Sequence, residues 1–305
     1  MKSVVFAYHD IGCTAIKILI EMGEEISAVF THDDDPKENV WFGSVKKLAE
    51  SLKIPVFCPE NPNRPEWIQK IKAMKPDIIF SFYYRQMISE EILAIPPKGA
   101  LNLHGSLLPK YRGRAPVNWV LVNGEKETGV TLHVMVKKPD AGDIVAQKKI
   151  RIDEQDNALT LYQKLVPLTR EILIETVPQL AKGTAKKIPQ DHSKATYFGG
   201  RKPEDGKIDW SKSSDEIFNL IRAVTDPYPG AFTYINGKKI LIWWGKCLIE
   251  NIQGVSGKIV SLNPLKVCCG KGTLEIDKIQ GEDQDEIDGK IWAKNNSIKI
   301  GTLLK

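Results

Sequence analysis

Two polar side chains, Asn102 and His104, lie two positions apart inside an apolar stretch that predicts a strand over residues 100–106. Alternate residues of a strand point to opposite faces, so these two side chains project together while the neighbouring leucines face a core. An amide beside an imidazole suits acyl transfer to an amine, because the amide can donate to a developing oxyanion and the imidazole can carry protons near neutral pH. If the amine attacks directly, such a site needs no serine or cysteine nucleophile.

A candidate carboxylate follows in the stretch HVMVKKPDAGDI, residues 133–144, where Asp140 occupies a Pro-Asp-Ala-Gly turn. A carboxylate beside His104 would favour the protonated imidazolium and would hold one ring nitrogen, which fixes the tautomer. Each feature also has a plain structural interpretation, since a strand histidine can be a core residue and Pro-Asp-Ala-Gly is a common turn. Arg112 and Arg114 can likewise belong to a solvated loop, so spacing alone leaves the chemistry open.

Alternating strand and helix patterns must position these side chains. The strands in the first third of the chain are short, nearly continuous apolar runs, as expected where helices cover both faces of a sheet. Repeated βα units with short connections predict a doubly wound α/β fold with a mostly parallel sheet. The predicted strands are 3–9, 25–32, 54–60, 77–84 and 100–106, and the predicted helices are 14–23, 42–53, 65–74 and 89–94.

The pattern changes in the second half of the chain. A polar stretch at 190–210, rich in Gly, Lys and Asp, is interpreted as a linker between a catalytic domain (1–203) and a second domain (204–305). Closely spaced strand candidates in the second domain predict a small C-terminal β-barrel. The further elements are strands at 128–136 and 143–152, helices at 158–182 and 215–225, and barrel strands of which the last is SIKIGTLL at 297–304.

Composition and charge argue against several classes of protein. The net charge of +5 arises from 43 basic and 38 acidic residues, so nothing demands a nucleic-acid partner. The five cysteines are odd in number and form no CxxC pair, which argues against a disulfide framework or a metal site and fits a reducing cytoplasm. No apolar run reaches the roughly 18 residues of a membrane span, and the N-terminal run is broken by His9 and Asp10, unlike a signal peptide.

The first strand-to-helix turn argues against a dinucleotide cofactor. It has the sequence AYHDIGCTA, with one glycine where the phosphate-binding fingerprint of such sheets needs three. Three aspartates after the second strand, residues 33–35, would otherwise suggest a ribose-binding acid. Without the glycines, we expect the sheet to serve another ligand.

The stretches NLHGSLLPKYRGRAP (102–116) and HVMVKKPDAGDI closely resemble the formyltransferases that use 10-formyltetrahydrofolate. These include glycinamide ribonucleotide transformylases, methionyl-tRNA formyltransferases and sugar-nucleotide formyltransferases. The resemblance covers the whole chain, and residues 204–305 are similar to the C-terminal barrel of the tRNA enzymes. The segments VVFAYHDIGC, FSFYYR, ETGVTLH and VTDPYPGAF are most similar to the formyltransferase domain of bifunctional polymyxin-resistance proteins, which formylates UDP-4-amino-4-deoxy-L-arabinose.

The resemblance implies roles for residues at the matching positions. Catalysis would fall to Asn102, His104 and Asp140. Tyr111 and Arg112 are the candidates for contact with the sugar nucleotide. The implied contacts to the folate co-substrate lie in two loops and at one arginine, and they are Gln86, Met87, Ile88, Arg114, Val136, Lys137, Lys138, Pro139 and Asp140.

The implied reaction is formyl transfer from 10-formyltetrahydrofolate to the amine of a UDP-amino sugar in the cytoplasm, as part of lipid A modification and polymyxin resistance. The alternatives are formylation of methionyl-tRNA or of another amino-sugar nucleotide. The tRNA enzymes read RNA partly through a basic insertion after the second strand, whereas THDDDPKENVWFGS stands here and its carboxylates would repel phosphate. Lys238, Lys239 and Lys246 keep the tRNA alternative open. A non-catalytic folate-binding module and a formyl-folate hydrolase are the rivals from other classes.

Overall fold

The computed structural model describes residues 1–33, 39–249 and 254–305. Of the three aspartates after the second strand, Asp34 and Asp35 lie outside the described residues. Asp33 accepts a hydrogen bond from Lys46 at 2.7 Å. The chain divides into two compact units, the first comprising residues 1–116, 127–151 and 162–198, and the second comprising residues 117–126, 152–161 and 199–305.

The helices and strands alternate along the first half of the chain, and strands dominate its last third. The strands are β1 (Lys2–Ala7), β2 (Glu25–Phe30), β3 (Val56–Phe57), β4 (Ile78–Phe82), β5 (Ala100–His104), β6 (Arg112–Gly113), β7 (Glu127–Val134), β8 (Ile144–Arg151), β9 (Tyr197–Phe198), β10 (Ala231–Ile235), β11 (Lys238–Leu248), β12 (Ile259–Leu262), β13 (Leu265–Cys268), β14 (Thr273–Gly281) and β15 (Ile287–Asp288). The helices are α1 (His9–Glu21), α2 (Val45–Ser51), α3 (Pro65–Met74), α4 (Glu90–Leu93), α5 (Pro116–Val122), α6 (Ala158–Lys182), α7 (Ser214–Val224) and α8 (Gly289–Asn295).

The first unit is built on a mostly parallel sheet. Its strand order among the described residues is β3-β2-β1-β4-β5-β7-β8. The pairs from β3 to β5 are parallel, whereas β7 runs antiparallel to both β5 and β8. The chain order switches between β1 and β4, and in such sheets ligands bind at this point, beyond the carboxyl ends of the strands. The predicted doubly wound α/β sheet is therefore confirmed.

Packing between α1 and the sheet explains the single glycine of the first turn. The side chains of β1 and β4 are buried almost throughout, as expected for strands covered on both faces. A Cβ added to Gly12 would lie 3.0 Å from Cβ of Ala7 and 3.1 Å from Cγ2 of Val45. The glycine thus allows the helix to lie close to β1 and α2.

The second unit contains an antiparallel sheet of order β10-β11-β14-β13-β12, in which β15 pairs with β14. The long strands β11 and β14 pair over residues 240–248 and 273–281. Helix α7 begins with a capping box, because Ser213 accepts from the Glu216 backbone N–H while the Glu216 carboxylate accepts from the Ser213 backbone N–H. An antiparallel β domain after the α/β domain confirms the predicted fold class.

One prediction of local structure is wrong. Residues 297–304 do not form a barrel strand; α8 precedes them, and Leu303 makes an isolated bridge to Lys258. The stretch at 190–210, interpreted as a linker, contains the break between the two units after residue 198, and its first part also contributes β9, which pairs with β6 inside the first unit. Its polar composition suggested exposure to solvent, whereas several of its polar side chains bond to buried partners. The domain boundary at 203/204 stays a prediction.

No helix in the described ranges combines the length and the apolar character that crossing a membrane requires. The described side chains also include no group of three or more His, Cys, Asp or Glu residues arranged to hold a metal ion.

Candidate active site

The candidate site lies on β5, where that strand reaches the carboxyl edge of the parallel sheet. Asn102 is half-buried and His104 is 7% exposed, and both project from the same face of the strand. The antiparallel pairing of β5 with β7 sets His133 opposite Asn102 and Thr131 opposite His104. The sheet register therefore places two further polar residues opposite the two predicted side chains.

The loop after β7 brings the predicted carboxylate to the predicted imidazole. Oδ1 of Asp140 lies 3.7 Å from Nδ1 of His104, and both side chains are largely buried. Oδ2 of Asp140 accepts a hydrogen bond from the Gly113 backbone N–H at 2.8 Å. The structure thus brings Asn102, His104 and Asp140 into one cluster.

A second histidine, His133, belongs to the same cluster and was missed by sequence reasoning. It is 1% exposed, and its Nε2 lies 3.1 Å from Nδ2 of Asn102 and 3.4 Å from Oδ1 of Asp140. Its Nδ1 lies 2.9 Å from the Val134 carbonyl oxygen and therefore carries a hydrogen, because a carbonyl only accepts. In the neutral ring, Nε2 therefore accepts from the Asn102 amide, whereas a ring protonated on both nitrogens would donate to the Asp140 carboxylate instead.

We expected Asp140 to fix the tautomer of His104, but a backbone carbonyl fixes it instead. Nε2 of His104 lies 2.7 Å from the Tyr111 carbonyl oxygen, so Nε2 carries a hydrogen and donates it there. Nδ1 is left facing Asp140 at 3.7 Å, which is beyond hydrogen-bond distance. The carboxylate can therefore stabilise a positive imidazolium through its charge, and Nδ1 is the nitrogen available for proton exchange.

Asp140 is held in its ionised form. Burial alone would raise the pKa of Asp140, but the charge of His104 opposes burial, and so do the hydrogen bond and charge of His133 and the Gly113 backbone N–H. Together these interactions hold the pKa of the carboxyl well below its usual range. A group with a lowered pKa stays charged as pH falls through the ordinary aspartate range, so Asp140 keeps its negative charge at every pH where the protein would work.

Left-handed backbone conformations concentrate around this cluster. Ten non-glycine residues in the described ranges have positive φ. Five of them lie at or beside the site, namely His9 (66°), Tyr83 (59°), Tyr111 (59°), Ala115 (51°) and Asp140 (52°). Such conformations persist where the surrounding structure enforces them, and they cluster at functional sites. The distribution therefore supports this edge of the sheet as the working part of the molecule.

The first predicted folate loop, residues 86–88, is fixed by side chains outside it. The Gln86 amide nitrogen donates to the Glu60 carbonyl at 2.7 Å, so a folate contact of Gln86 would use its backbone. Asn63 donates to the Met87 carbonyl at 2.9 Å and accepts from the Ser89 backbone N–H at 2.7 Å. Met87 is 58% exposed and Ile88 is 6% exposed. Asn63 is a second residue that the sequence analysis missed.

The second predicted folate loop presents exposed side chains from residue 136 to residue 139. Lys137 pairs with Glu90 at 3.2 Å, and the Lys138 ammonium lies 4.9 Å from the centre of the Tyr197 ring. The Arg114 side chain is exposed, while its backbone N–H donates to the Phe198 carbonyl at 2.9 Å. Arg114, Lys137 and Lys138 therefore all lie at the surface, on two segments that come together near Asp140 and β9.

The two residues chosen for the sugar nucleotide are buried. Tyr111 is 7% exposed, and its ring stacks on Phe198 with 5.0 Å between the centroids. Arg112 has 0% exposure, and its guanidinium donates to Gln190 and to the Tyr197 hydroxyl. Direct contact of Arg112 with a sugar nucleotide is therefore not supported, because its hydrogen-bonding groups face the interior.

Aromatic and histidine side chains line the neighbouring carboxyl ends of β1, β2 and β4. His9 stacks on Phe42 with 3.5 Å between the ring centroids, and His32 stacks on Tyr84 at 4.3 Å. The Arg85 guanidinium carbon lies 4.5 Å from the centre of the Tyr8 ring. A sequence signal for this aromatic rim existed, since AYHD, FTHD and FYYR each lie at the carboxyl end of a predicted strand. We call the set the aromatic rim, and it comprises Tyr8, His9, His32, Trp41, Phe42, Tyr83, Tyr84 and Arg85.

Both histidines of the aromatic rim are neutral at neutral pH. Burial, and then the charge of Arg85, lower the pKa of His9 to about 3. The same two causes lower the pKa of His32 to about 4, although the charge of Asp33 opposes them. The rim therefore offers neutral ring faces beside one permanent cation, Arg85.

An amide, two imidazoles and a carboxylate at the edge of a mostly parallel sheet, with an antiparallel β domain following, define a two-domain α/β group-transfer enzyme. The family profile described as formyl transferase matches residues 2–177. The profile described as formyl transferase, C-terminal domain matches residues 201–297. The chain belongs to the formyl transferase family, and it is a formyltransferase enzyme.

Solved structures share this fold at low sequence identity. WlaRD, a sugar 3N-formyl transferase crystallised in the presence of dTDP and 5-N-formyl-THF, is 22% identical with a TM-score of 0.70, over 93% of this chain and 99% of that chain. The N-formyltransferase from Helicobacter canadensis, in complex with folinic acid and dTDP-3-aminofucose, is 21% identical with a TM-score of 0.70, over 92% and 99%. HypX from Aquifex aeolicus is 18% identical with a TM-score of 0.64, and the match covers 98% of this chain. The match spans 48% of the HypX chain, about half of its length.

Proposed function

We propose that this protein transfers the formyl group of 10-formyltetrahydrofolate to the amine of a UDP-amino sugar, with UDP-4-amino-4-deoxy-L-arabinose as the acceptor. The observation that carries the proposal is the cluster of Asn102, His104 and Asp140, in which the carboxylate lies 3.7 Å from the imidazole. The acceptor rests on the sequence resemblance described above. In a cell, the reaction would belong to lipid A modification and polymyxin resistance in the cytoplasm.

The three side chains have complementary tasks in this reaction. The neutral acceptor amine attacks the formyl carbon, and Asn102 donates to the oxygen as negative charge develops on it. The bond from the formyl carbon to the acceptor nitrogen forms, and the bond to folate N10 breaks. His104 gives its Nδ1 proton to N10 and takes one from the acceptor nitrogen. Asp140 keeps its charge throughout and stabilises the imidazolium.

The donor would bind along the two loops that flank this cluster. The backbone of residues 86–88, held by Asn63, would contact the pterin, which is supported by the commitment of the Gln86 side chain to Glu60. Arg114, Lys137 and Lys138 would meet the carboxylates of the folate as charge-assisted donors, which is supported by their exposure. Structural neighbours are described with 5-N-formyl-THF and with folinic acid, which are folates of the same chemical class.

The acceptor would bind along the aromatic rim. Partly exposed rings such as Trp41 and Tyr83 suit stacking against a base or a pyranose, and the exposed Arg85 suits a diphosphate. Two structural neighbours are described with dTDP or a dTDP-amino sugar, so a dTDP-amino sugar is the second candidate acceptor. For the tRNA alternative, two of the three candidate lysines are already engaged: Lys246 pairs with Asp277 at 3.2 Å, and the Lys239 ammonium lies 4.2 Å from the centre of the Phe232 ring.

An acceptor panel tests the proposed function. Purified protein is incubated with 10-formyltetrahydrofolate and, in separate reactions, with UDP-4-amino-4-deoxy-L-arabinose, a dTDP-amino sugar, methionyl initiator tRNA or no acceptor. We expect mass spectrometry to find one added formyl group on the UDP sugar, with equimolar tetrahydrofolate formed. Equal release of tetrahydrofolate without an acceptor would identify a hydrolase, and formylation of the tRNA in preference to both sugars would overturn the acceptor class.

A further inference from the structure

A buried side chain, Gln190, ties the polar segment after α6 to the turn that carries Asp140. Gln190 is 6% exposed. Its amide nitrogen donates to the Asp140 carbonyl at 2.9 Å and to the Gly142 carbonyl at 2.6 Å. One side-chain amide therefore uses both of its N–H groups on the backbone of a single turn.

The other end of Gln190 is held by the buried guanidinium of Arg112. The Gln190 side-chain oxygen accepts from Nε of Arg112 at 3.1 Å and from Nη2 at 2.6 Å. Arg112 also donates to the Tyr197 hydroxyl at 2.5 Å, and Nη2 lies 3.0 Å from Nδ1 of His192. Hydrogen bonds from a charged donor are stronger than neutral ones, and the rigid fork of an arginine leaves little freedom to the oxygen it holds.

The strand that carries Arg112 also supplies the bond to the Asp140 carboxylate. Arg112 and Gly113 form β6, which pairs with Tyr197 and Phe198 of β9. The Gly113 N–H donates to Oδ2 of Asp140, whereas Arg112 reaches the Asp140 carbonyl through Gln190. Two consecutive residues of β6 therefore hold Asp140: Gly113 bonds its carboxylate, and Arg112, through Gln190, fixes the position of its backbone carbonyl.

These two sets of hydrogen bonds stabilise an unusual backbone conformation in the turn. The backbone of Asp140 has φ of +52°, a left-handed conformation that is uncommon for non-glycine residues and that persists where the surrounding structure enforces it. We propose that Gln190 and Arg112 are positioning residues of the formyl transfer reaction, which hold the Asp140 turn so that its carboxylate faces His104. The inference rests on the proposed function. It assigns a role to a segment whose composition suggested a linker and to an arginine whose position suggested substrate contact.

The variant Gln190→Glu tests the positioning role. The new carboxylate keeps the acceptor for Arg112 and forms an ion pair with it, while both N–H donors to the turn are lost. We expect kcat at saturating donor to fall roughly 10- to 100-fold, the scale of a small misplacement of a catalytic group, with little change in KM for the acceptor. Gln179→Glu on the exposed face of α6, where the amide donates to the Glu175 carbonyl, is the matched control and should keep the wild-type kcat.

A double-mutant cycle separates positioning from general stability. If Gln190 acts through Asp140, Gln190→Glu should change kcat by no more than about twofold in an Asp140→Asn background. A merely structural role would cost the same factor in both backgrounds, and that result would overturn the inference, as would a wild-type kcat in the single variant. If a thermal unfolding measurement shows that Gln190→Glu is not folded, Arg112→Lys replaces it in the same cycle. This variant keeps the positive charge and loses the planar guanidinium.

A measurement without turnover separates this inference from the proposed function. The Gly113 amide donates to the Asp140 carboxylate, so its hydrogen exchange reports whether the carboxylate is in place. We expect Gln190→Glu to speed exchange of this amide by about tenfold or more. Faster exchange in a protein that formylates no acceptor would refute the proposed function and leave the positioning role intact. Unchanged exchange together with a lowered kcat would overturn the positioning role alone.

Discussion

Replacing His104 with alanine is expected to lower kcat for formyl transfer by roughly 10²–10⁴, the usual contribution of a positioned proton-transfer group. Nε2 of this histidine is bound to the Tyr111 carbonyl at 2.7 Å, so proton exchange depends on Nδ1, which faces Asp140. No other side chain in the cluster can replace it: Asp140 is held ionised, and His133 is bound to Val134 and Asn102.

The measurement is steady-state kinetics across pH with a His104→Gln variant beside His104→Ala. Glutamine can still donate to the Tyr111 carbonyl but cannot carry a proton, so equal losses in both variants indicate proton transfer rather than lost packing. The pKa of Asp140 lies below its usual range, so this carboxylate does not titrate between about pH 5 and 9, and the residual activity should vary little with pH there. Activity within about threefold of wild type would remove His104 from the mechanism.

Replacing Asn102 with alanine is expected to lower kcat by about 10²–10³, or about 2.7–4 kcal/mol, as for the loss of one oxyanion donor. The amide nitrogen has two hydrogens, and one of them faces His133 at 3.1 Å. The other remains for the formyl oxygen, and His133 fixes its direction. Because the charge on this oxygen is largest in the transition state, the loss should appear in kcat and much less in KM.

The comparison needs an asparagine variant that leaves the site intact. Asn123 is exposed just after α5, where its amide donates to the Trp119 carbonyl at 2.7 Å, so Asn123→Ala should keep kcat. A rise in KM for the donor with unchanged kcat in Asn102→Ala would assign Asn102 to ground-state binding and contradict the oxyanion role.

The part of the site that could be predicted depends on local rules. The two-residue repeat of a strand is enough to place Asn102 beside His104, and alternating apolar patterns are enough for the α/β fold. The helices at 65–74 and 158–182 agree with the structure at both ends. Asp140 needed the family resemblance, because no local rule brings a turn 36 positions downstream to one imidazole.

The rest depends on tertiary contacts that no single stretch encodes. His133 opens a stretch that we singled out for Asp140, but only the register of β5 against β7 sets it opposite Asn102. Arg112 was expected at the surface, as arginines usually are, yet its guanidinium is buried against neutral partners. Gln190 was hidden in a polar stretch for the same reason, since its partners lie on other segments.

The central claim is that Asn102, His104 and Asp140 surround one formyl carbon, and a crystal structure with a stable 10-formyl folate analogue tests it most directly. We expect the formyl oxygen within about 3.2 Å of the Asn102 amide nitrogen and N10 facing Nδ1 of His104. A folate bound on another face of the first unit, or a formyl carbon more than about 6 Å from all three side chains and so beyond any hydrogen bond, would contradict the account.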